Sequence, residues 1–331
     1  MPWLVGIDEA GYGPNLGPLV MSAAACAIPD RDGDANLWRL LRSAVRKCTD
    51  RADGRLVVAD SKQVYSPARG LGLLETSVLA ALHVSLNADG DLPADLKLRS
   101  LMELVCPAGL RETLQPELDA ELWYDGRTPL PVAVDRTELE HAIERLREAC
   151  RRRGVSMPLC RSVVVCPPRF NDLTDTCDSK AAALAFGLTH LLRECIEAAP
   201  VGEPIAFLID KHGGRNQYAP ILSAALPGAF VWGRTEGAER SIYDVQGLDR
   251  LVRVTVQPRA DAEHFPVALA SMVSKYLREV LMGEFNAFWR RHVADLAPTA
   301  GYPTDAVRFF EQIRSAMATL GLTERQVWRR K

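Results

Sequence analysis

The sequence predicts an α/β fold in which a central mixed sheet is flanked by helices. Short apolar runs, each of the length of a buried strand, recur along the chain and are separated by longer segments with helical spacing. The first two runs, residues 3–8 and 19–28, enclose a loop rich in glycine and proline, which is typical of two paired strands. No internal repeat interrupts this pattern. We therefore predict a single domain over residues 1–331.

The other elements follow from the same patterns of hydrophobic spacing. Further strands are predicted at residues 162–166, 205–210 and 250–259, and residues 56–62 are predicted to be a short strand that runs into a polar turn. Helices are predicted at residues 37–47, 72–86, 136–154, 179–199, 266–293 and 304–320. Residues 75–160 include loop-like stretches around short apolar pieces, which predicts an insertion or lid within the domain. Residues 290–331 are predicted to form a C-terminal helical extension.

The composition is that of an ordinary globular protein. Hydrophobic residues make up 47% and charged residues 25%, and the net charge of −2 argues against a surface that is basic throughout. The eight cysteines show neither a CxxC pair nor a zinc-ligand spacing, so we expect reduced, mostly buried thiols. The sequence shows no signal-peptide pattern and no apolar run of membrane-spanning length. We expect a cytoplasmic protein.

Acidic residues follow three of the predicted strands. Asp8 and Glu9 come directly after the first apolar run, Asp210 ends the strand at 205–210, and Asp261 lies just beyond the strand at 250–259. Ligands of α/β sheets bind outside the carboxyl ends of the strands. One acid at a strand end is commonly a turn former or a helix cap, but three such cases favour a shared site.

Carboxylates that cluster repel one another and raise each other's pKa unless a cation lies among them. All-oxygen ligand sets suit hard divalent ions, so Mg²⁺ or Mn²⁺ is the expected cofactor, and two such ions can drive phosphoryl transfer or phosphodiester hydrolysis. Neighbouring residues on a regular strand point to opposite faces. Asp8 and Glu9 can therefore share one metal site only if the strand ends or twists between them.

Five motifs resemble those of type 2 ribonucleases H, the ribonuclease HII group. The opening stretch GIDEAGYGPNLGPLV is similar to the signature of that family. The other four motifs, in family order, are ADSKQVYSPAR (59–69), FLIDKHGGRNQY (207–218), ADAEHFPVALASMVSKYLRE (260–279) and GYPT (301–304). With a further similar element, FND (170–172) and the Ala-rich helix after it, the resemblance spans most of the chain outside residues 75–160. The resemblance implies a ribonuclease H-like fold.

The resemblance also implies an activity and a set of site residues. Members of the family are endoribonucleases that cleave the RNA strand of RNA/DNA hybrids, or a ribonucleotide embedded in DNA, with divalent metals. The catalytic and metal-binding residues implied here are Asp8, Glu9, Asp210 and Asp261. The substrate-binding residues implied are Gly11, Tyr12, Gly13, Lys62, Lys275 and Tyr302. The glycines would approach a ribose 2′-hydroxyl and Tyr302 would stack on a sugar, whereas either lysine could be a phosphate contact or a surface residue.

The sequence departs from the family pattern at several points. Tyr12 stands where the family has arginine, so one hydroxyl and a ring replace a phosphate-pairing guanidinium. Residues 231–249 are enlarged, and Glu263 could supplement Asp261. Two alternatives therefore stay open: a nuclease of the same fold with another nucleic-acid substrate, or an inactive nucleic-acid-binding protein. The expected partner is nucleic acid, no membrane is expected, and the sequence predicts no oligomeric state.

Overall fold

The centre of the molecule is a seven-stranded mixed sheet with helices on both faces. A computed structural model of the chain describes residues 1–29, 36–50, 53–86, 93 and 95–330. The strands of the sheet are β1 (Trp3–Ala10), β2 (Leu19–Ala27), β5 (Ser156–Val165), β6 (Ile205–Asp210), β7 (Phe230–Thr235), β8 (Ser241–Gln246) and β9 (Val252–Gln257). Two short strands, β3 (Val45–Arg46) and β4 (Leu56–Val57), form a separate sheet. The predicted class, an α/β fold with a central mixed sheet flanked by helices, is confirmed.

The helices precede, connect and follow these strands. In chain order they are α1 (Leu37–Leu40), α2 (Ser61–Val64), α3 (Gly72–Leu86), α4 (Leu98–Val105), α5 (Arg111–Asp119), α6 (Arg136–Arg153), α7 (Pro167–Cys177), α8 (Ala181–Ala198), α9 (Ala219–Ala225), α10 (Ala260–Glu263), α11 (Phe265–His292), α12 (Pro303–Thr319) and α13 (Glu324–Val327). Within the described residues, no helix has both the length and the apolar character that crossing a membrane requires.

The order of the strands brings the ends of three of them to one edge. The sheet runs β5-β2-β1-β6-β9-β8-β7, and β1, β6 and β9 are parallel neighbours. The pairings of β2 with β1 and β5, and of β8 with β7 and β9, are antiparallel. Because parallel strands end on the same side, the carboxyl ends of β1, β6 and β9 meet at one edge, which we call the carboxylate edge.

Two hydrophobic clusters cover the two faces of the sheet. Helix α11 packs against β1 and β2, and α8 and α9 lie on the opposite face. Gly6 of β1 permits the close approach of α11, since a Cβ at this position would collide with the backbone of Pro266 and Val267. Residues at even positions in β1 therefore face α11, and Val5 and Ile7 pack in the other cluster.

Most predicted elements are confirmed within a residue or two. The strand at 205–210 has those bounds, and the amphipathic helix at 136–154 is α6, which ends at Gly154 with a positive φ of 65°. The helix predicted at 37–47 is wrong beyond Leu40, because Val45 and Arg46 pair with β4 instead. The short strand and polar turn predicted at 56–62 correspond to β4 and to Asp60, which caps α2. Strands β7 and β8 were not predicted.

The segment predicted as an insertion or lid contributes to the core in its described part. Helices α3 and α6 pack against each other, and α3 also contacts β5. The predicted apolar face of α6 is buried at Leu139, Ile143 and Leu146. Residues 87–92 and 94 lie outside the described part of the chain. All eight cysteines are free, and six of them are buried.

Glu121 is a buried acid just after α5. Its side chain is 3% exposed, and its Oε2 atom has no hydrogen-bond partner. Burial, together with repulsion from Glu117, raises the pKa of Glu121 to about 9. The folded protein therefore keeps a proton that the unfolded chain releases near pH 4.5, so the free energy of unfolding falls as the pH rises from about 4.5 to about 9.

We therefore expect Glu121→Gln to stabilise the protein at alkaline pH. Glutamine imitates the neutral acid, so the melting temperature at pH 8 should rise by at least about 2 °C, with a smaller gain at pH 5. Thermal unfolding followed by circular dichroism between pH 5 and 9 measures both. A gain that is the same at every pH would contradict the assignment of the proton to Glu121.

Candidate active site

Asp8 and Asp210 occupy neighbouring positions at the carboxylate edge. Ile7 pairs with Ile209 in the parallel ladder between β1 and β6, so the next residues, Asp8 and Asp210, lie side by side. Both follow the residue that packs in the α8 and α9 cluster, so both belong to the face that α11 covers. The register thus places two acids that are 202 residues apart on the same patch of the sheet.

Asp8 is the more buried of the two. The residue is 6% exposed, its Oδ1 accepts a 2.7 Å hydrogen bond from the Glu9 amide, and its carbonyl accepts a 3.1 Å bond from the Ser274 hydroxyl of α11. Burial raises the pKa of Asp8 well above its usual range, and repulsion from Glu9 and Asp210 raises it further. Among the described residues, the side chain that offsets this effect is Ser271, whose hydrogen bond lowers the pKa of Asp8.

The alternation of β1 starts the Glu9 side chain on the face opposite Asp8, but the two acidic side chains are close enough at this edge to form a hydrogen bond with each other. The strand neither ends nor breaks between the two acids, since Glu9 still pairs with Met21 of β2. The Oε2 atom of Glu9 is buried without a hydrogen-bond partner, and the nearest imidazole nitrogen, Nε2 of His212, is 4.0 Å away. Burial and repulsion from Asp210 raise the pKa of Glu9 to about 7. Burial lowers the pKa of His212 to about 3, so at neutral pH this histidine carries no charge.

Asp210 and Asp261 extend the acidic group toward α10. The amide of Ala260, the first residue of α10, donates a 2.8 Å hydrogen bond to Oδ1 of Asp210 and so joins the two elements. Burial raises the pKa of Asp210 to about 6, with a contribution from Asp261. The pKa of Asp261 is itself raised by burial and by repulsion from Asp60. Four acids thus interact in sequence from Glu9 and Asp8 through Asp210 to Asp261.

The sequence did not single out Asp60 and His212. Asp60 accepts the amide of Lys62 at 2.9 Å as the cap of α2, and it repels Asp261. Both residues lie inside the quoted motifs, but Asp60 falls within the polar turn predicted at 56–62, and His212 is not an acid. Lys62 is the cation of this region, and it lowers the pKa of Glu9, Asp210 and Asp261. Glu263 accepts a 2.6 Å hydrogen bond from Gln257.

The donors at the carboxylate edge have the chemistry that a hard divalent cation requires. They are carboxylate oxygens with raised pKa values, and one of them, Oε2 of Glu9, is buried without a partner. Across the described ranges, however, no three Asp, Glu, His or Cys side chains are already grouped in a way that could hold a metal ion. The acids therefore interact through charge, and ligation would require their side chains to move.

The glycine loop beside these acids brings three predicted substrate residues together. A Cβ added to Gly13 would lie 3.9 Å from the ring of Tyr302. Tyr302 is 53% exposed, so its ring borders the loop and remains open to solvent. Tyr12 is half-buried, and Nζ of Lys180 lies 4.8 Å from the centre of its ring. Burial and the charge of Glu9 raise the pKa of Tyr12, whereas Arg215 lowers it.

Two buried arginines donate hydrogen bonds to backbone carbonyls of the glycine loop and of the segment before Gly301. Arg278 is 3% exposed and donates to the carbonyls of Leu16 at 3.2 Å and Ala300 at 3.1 Å. Arg329 is 1% exposed and donates to the carbonyl of Pro14, and its own amide donates to Asn15 at 2.8 Å. The last residues of the chain and α11 therefore fix the conformation of the glycine loop.

Lys275, also predicted to bind substrate, lies in an ion pair. Its Nζ is 2.6 Å from Oε1 of Glu279 and 4.9 Å from the centre of the Tyr65 ring. The hydroxyl of Tyr65 donates to the other oxygen of Glu279 at 2.8 Å. The structure thus gives Lys275 two partners within the protein, whereas Lys62 is exposed beside the acids.

Comparison with known proteins gives matches among solved structures. No protein-family model matches the chain, and no curated protein matches it significantly. Ribonuclease HII from Archaeoglobus fulgidus, solved in a complex with PCNA, is 13% identical with a TM-score of 0.42, and the match covers 98% of this chain and 92% of that one. Ribonuclease H2 from Pyrococcus horikoshii OT3 is 15% identical with a TM-score of 0.43 and the same coverage. Bst-RNase HIII in complex with Mn²⁺ is 16% identical with a TM-score of 0.43, over 99% of this chain and 66% of that one.

Gly11 and Gly13 provide a matched test of how the loop is held. Gly11 has a φ of +90°, and a Cβ there would lie 2.6 Å from Cδ of Arg278 and 2.7 Å from the Pro18 carbonyl. We expect Gly11→Ala to lower the free energy of unfolding by about 1–3 kcal/mol. Gly13→Ala meets only the Tyr302 ring and should change it by less than about 0.5 kcal/mol. Urea unfolding measures both variants, and equal losses would refute this account of the loop.

Proposed function

We propose that this protein is a divalent-metal-dependent nuclease of the type 2 ribonuclease H kind. The observation that carries the proposal is the group of mutually repelling carboxylates at the carboxylate edge, of which Asp8 is buried and Glu9, Asp210 and Asp261 are half-buried. Burying like charges costs stability, and such a cost is typical of functional sites. The ordered motifs that resemble this family support the same assignment. The substrate class we propose is the RNA strand of RNA/DNA hybrids, or a ribonucleotide embedded in DNA.

The proposed role of the four acids is to hold Mg²⁺ or Mn²⁺, as a pair of ions in the reaction. When bound, the ions would activate a water and stabilise negative charge on the leaving oxygen. Asp8 and Asp210 are adjacent on one face and are the central ligands in this proposal. Glu9 would contribute its unpartnered Oε2 from the other face, and Asp261 would act from α10. Repulsion among them makes the cation-bound state the one in which all four are stable as carboxylates.

The proposed role of the glycine loop is to recognise the sugar next to the scissile phosphate. Gly13 leaves the backbone accessible, and the exposed ring of Tyr302 borders it. A backbone that a 2′-hydroxyl can approach, together with a ring for stacking, suits discrimination between ribose and deoxyribose. Lys62, beside the acids, would contact a phosphate oxygen as a point charge.

Removing one central acid should have opposite effects on stability with and without metal. Asp210→Asn keeps the oxygen that accepts the Ala260 amide but removes a charge from a group whose pKa is raised to about 6. At pH 7.5 in EDTA we expect the variant to melt higher than the wild type. With 10 mM Mn²⁺ the wild type should gain thermal stability and the variant should gain less. Differential scanning calorimetry in both buffers measures this.

The matched control is Asp249→Asn. Asp249 is an exposed acid just before β9, at the opposite end of that strand, and it is paired with Arg250 at 2.7 Å. Its substitution should leave the metal-dependent gain unchanged. If Asp210→Asn and Asp249→Asn respond equally to Mn²⁺, the acids of the carboxylate edge do not hold the ion.

Cleavage itself distinguishes the proposal from the two alternatives. The purified protein is incubated with Mg²⁺ or Mn²⁺ and with three duplexes: DNA containing one ribonucleotide, an RNA/DNA hybrid, and DNA alone. We expect cleavage of the first or second, and a loss of at least about a hundredfold in Asp8→Asn and Asp210→Asn. Cleavage of DNA alone would indicate another substrate class. Binding of the hybrid without cleavage by either metal would indicate an inactive nucleic-acid-binding protein.

Two variants of Tyr302 distinguish stacking of its ring on the sugar from hydrogen bonding by its hydroxyl. Tyr302→Ala removes the ring and should lower kcat/KM on the ribonucleotide-containing duplex about tenfold, whereas Tyr302→Phe keeps the ring and should retain most of the activity. The exposed position predicts little change in melting temperature for either variant. Equal losses in the two variants would assign the effect to the hydroxyl instead.

A further inference from the structure

Strand β7 presents large aromatic side chains on the solvent side of the sheet. Phe230 is 58% exposed and Trp232 is 48% exposed, and their ring centres are 6.1 Å apart. On the opposite side of β7, Val231 is partly buried against the α8 and α9 cluster. A half-buried edge strand normally turns its large apolar residues inward and polar ones outward. Here the two largest side chains face outward, and such an exposed patch is typical of an interaction surface.

Arginines share this face with the aromatic rings. Arg234 lies over the Trp232 ring at 5.8 Å and is 2.7 Å from Asp244. Arg253 of β9 is 2.8 Å from the other oxygen of Asp244. The single carboxylate of Asp244 therefore pairs with two guanidinium groups, so these three side chains together carry a net positive charge. We call Phe230, Trp232, Arg234 and Arg253 the aromatic–arginine face.

The sheet register places this face on the same side as Asp8 and Asp210. Residues directly opposite each other on neighbouring strands share a face. Trp232 pairs with Asp244, Asp244 with Arg253, and Arg253 with Ala206 of β6, which is two pleats before Asp210. The strand spacing puts β7 about 14 Å from β6.

The loop between β7 and β8 also contacts the carboxylate edge. Nζ of Lys211, the residue after Asp210, donates hydrogen bonds to the carbonyls of Gly237 and Ala238 at 2.9 and 2.6 Å.

We propose that the aromatic–arginine face binds single-stranded nucleic acid, with bases stacked on Trp232 and Phe230 and phosphates held by Arg234 and Arg253. Flat rings on a sheet beside arginines are suited to stacking successive bases without regard to sequence. The charge favours a polyanion over a neutral apolar segment. The proposal names nucleic acid in common with the proposed function, but it requires no metal and no cleavage. A single strand that leaves the carboxylate edge would cross this face.

Fluorescence anisotropy with a labelled 12-nucleotide oligo(dT) or oligo(U) in EDTA tests the proposal. We expect Trp232→Ala to weaken binding about fivefold to a hundredfold, with a smaller loss in Phe230→Ala. Arg253→Gln should reduce the salt dependence by about 0.7 in log–log slope. Asp244→Asn, which frees both arginines, should tighten binding. The control is Leu251→Ala, a side chain 78% exposed outside the face, which should bind as the wild type does.

Three results would overturn the proposal. They are a wild type that does not bind either oligonucleotide, equal affinities of the wild type and Trp232→Ala, and weaker binding in Asp244→Asn. If Trp232→Ala instead dissociates a dimer in sedimentation velocity and leaves the oligonucleotide affinity unchanged, the face joins two copies of the chain. Trp232→Ala should keep the wild-type gain in melting temperature with Mn²⁺, whether or not it binds the oligonucleotides, so the two proposals can fail separately.

Discussion

Repulsion among buried carboxylates at one edge of the sheet is the constraint around which the rest of the site is arranged. Parallel pairing of β1 with β6 brings Asp8 beside Asp210, and the short α10 adds Asp261. The compensating charges nearby are weak, because Lys62 is exposed and His212 is held neutral by burial. Repulsion among these carboxylates lowers the stability of the fold in the absence of metal. A bound divalent cation would attract all of them and so offset the repulsion.

The buried arginines of this region bind backbone carbonyls and do not pair with the acids. Arg278 and Arg329 are almost completely buried, yet the hydrogen bonds they donate go to backbone carbonyls of the glycine loop and the segment before Gly301. Burial lowers the pKa of both side chains, and for Arg329 the value is about 9. Their charges position the loop and do not neutralise the acids. The charge that offsets the acids comes instead from the exposed Lys62.

The sequence correctly predicted the elements in which the local hydrophobic pattern matches the face that is buried in the folded protein. The strand at 205–210 and helix α6 with its stop at Gly154 are such cases. The prediction at 37–47 failed because long-range pairing of Val45 with Leu56 overrides helical spacing, which no local signal reports. Strand β7 was missed because its outward aromatic residues reverse the expected alternation. The acids could be predicted from strand ends, but the continuation of β1 through Glu9 depends on its pairing with β2, and the neutral His212 depends on its burial by other segments.

Two cations from other elements lie beside Tyr12. The resembled family has an arginine at this place in the loop, and tyrosine cannot supply its charge. Lys180 lies 4.8 Å from the Tyr12 ring, and Arg215 is close enough to lower the pKa of its hydroxyl. Two cations from other elements thus border the position where the single arginine would stand. The Tyr12 ring is thus the surface over which Lys180 lies, and the glycine loop has positive charge on its outer side.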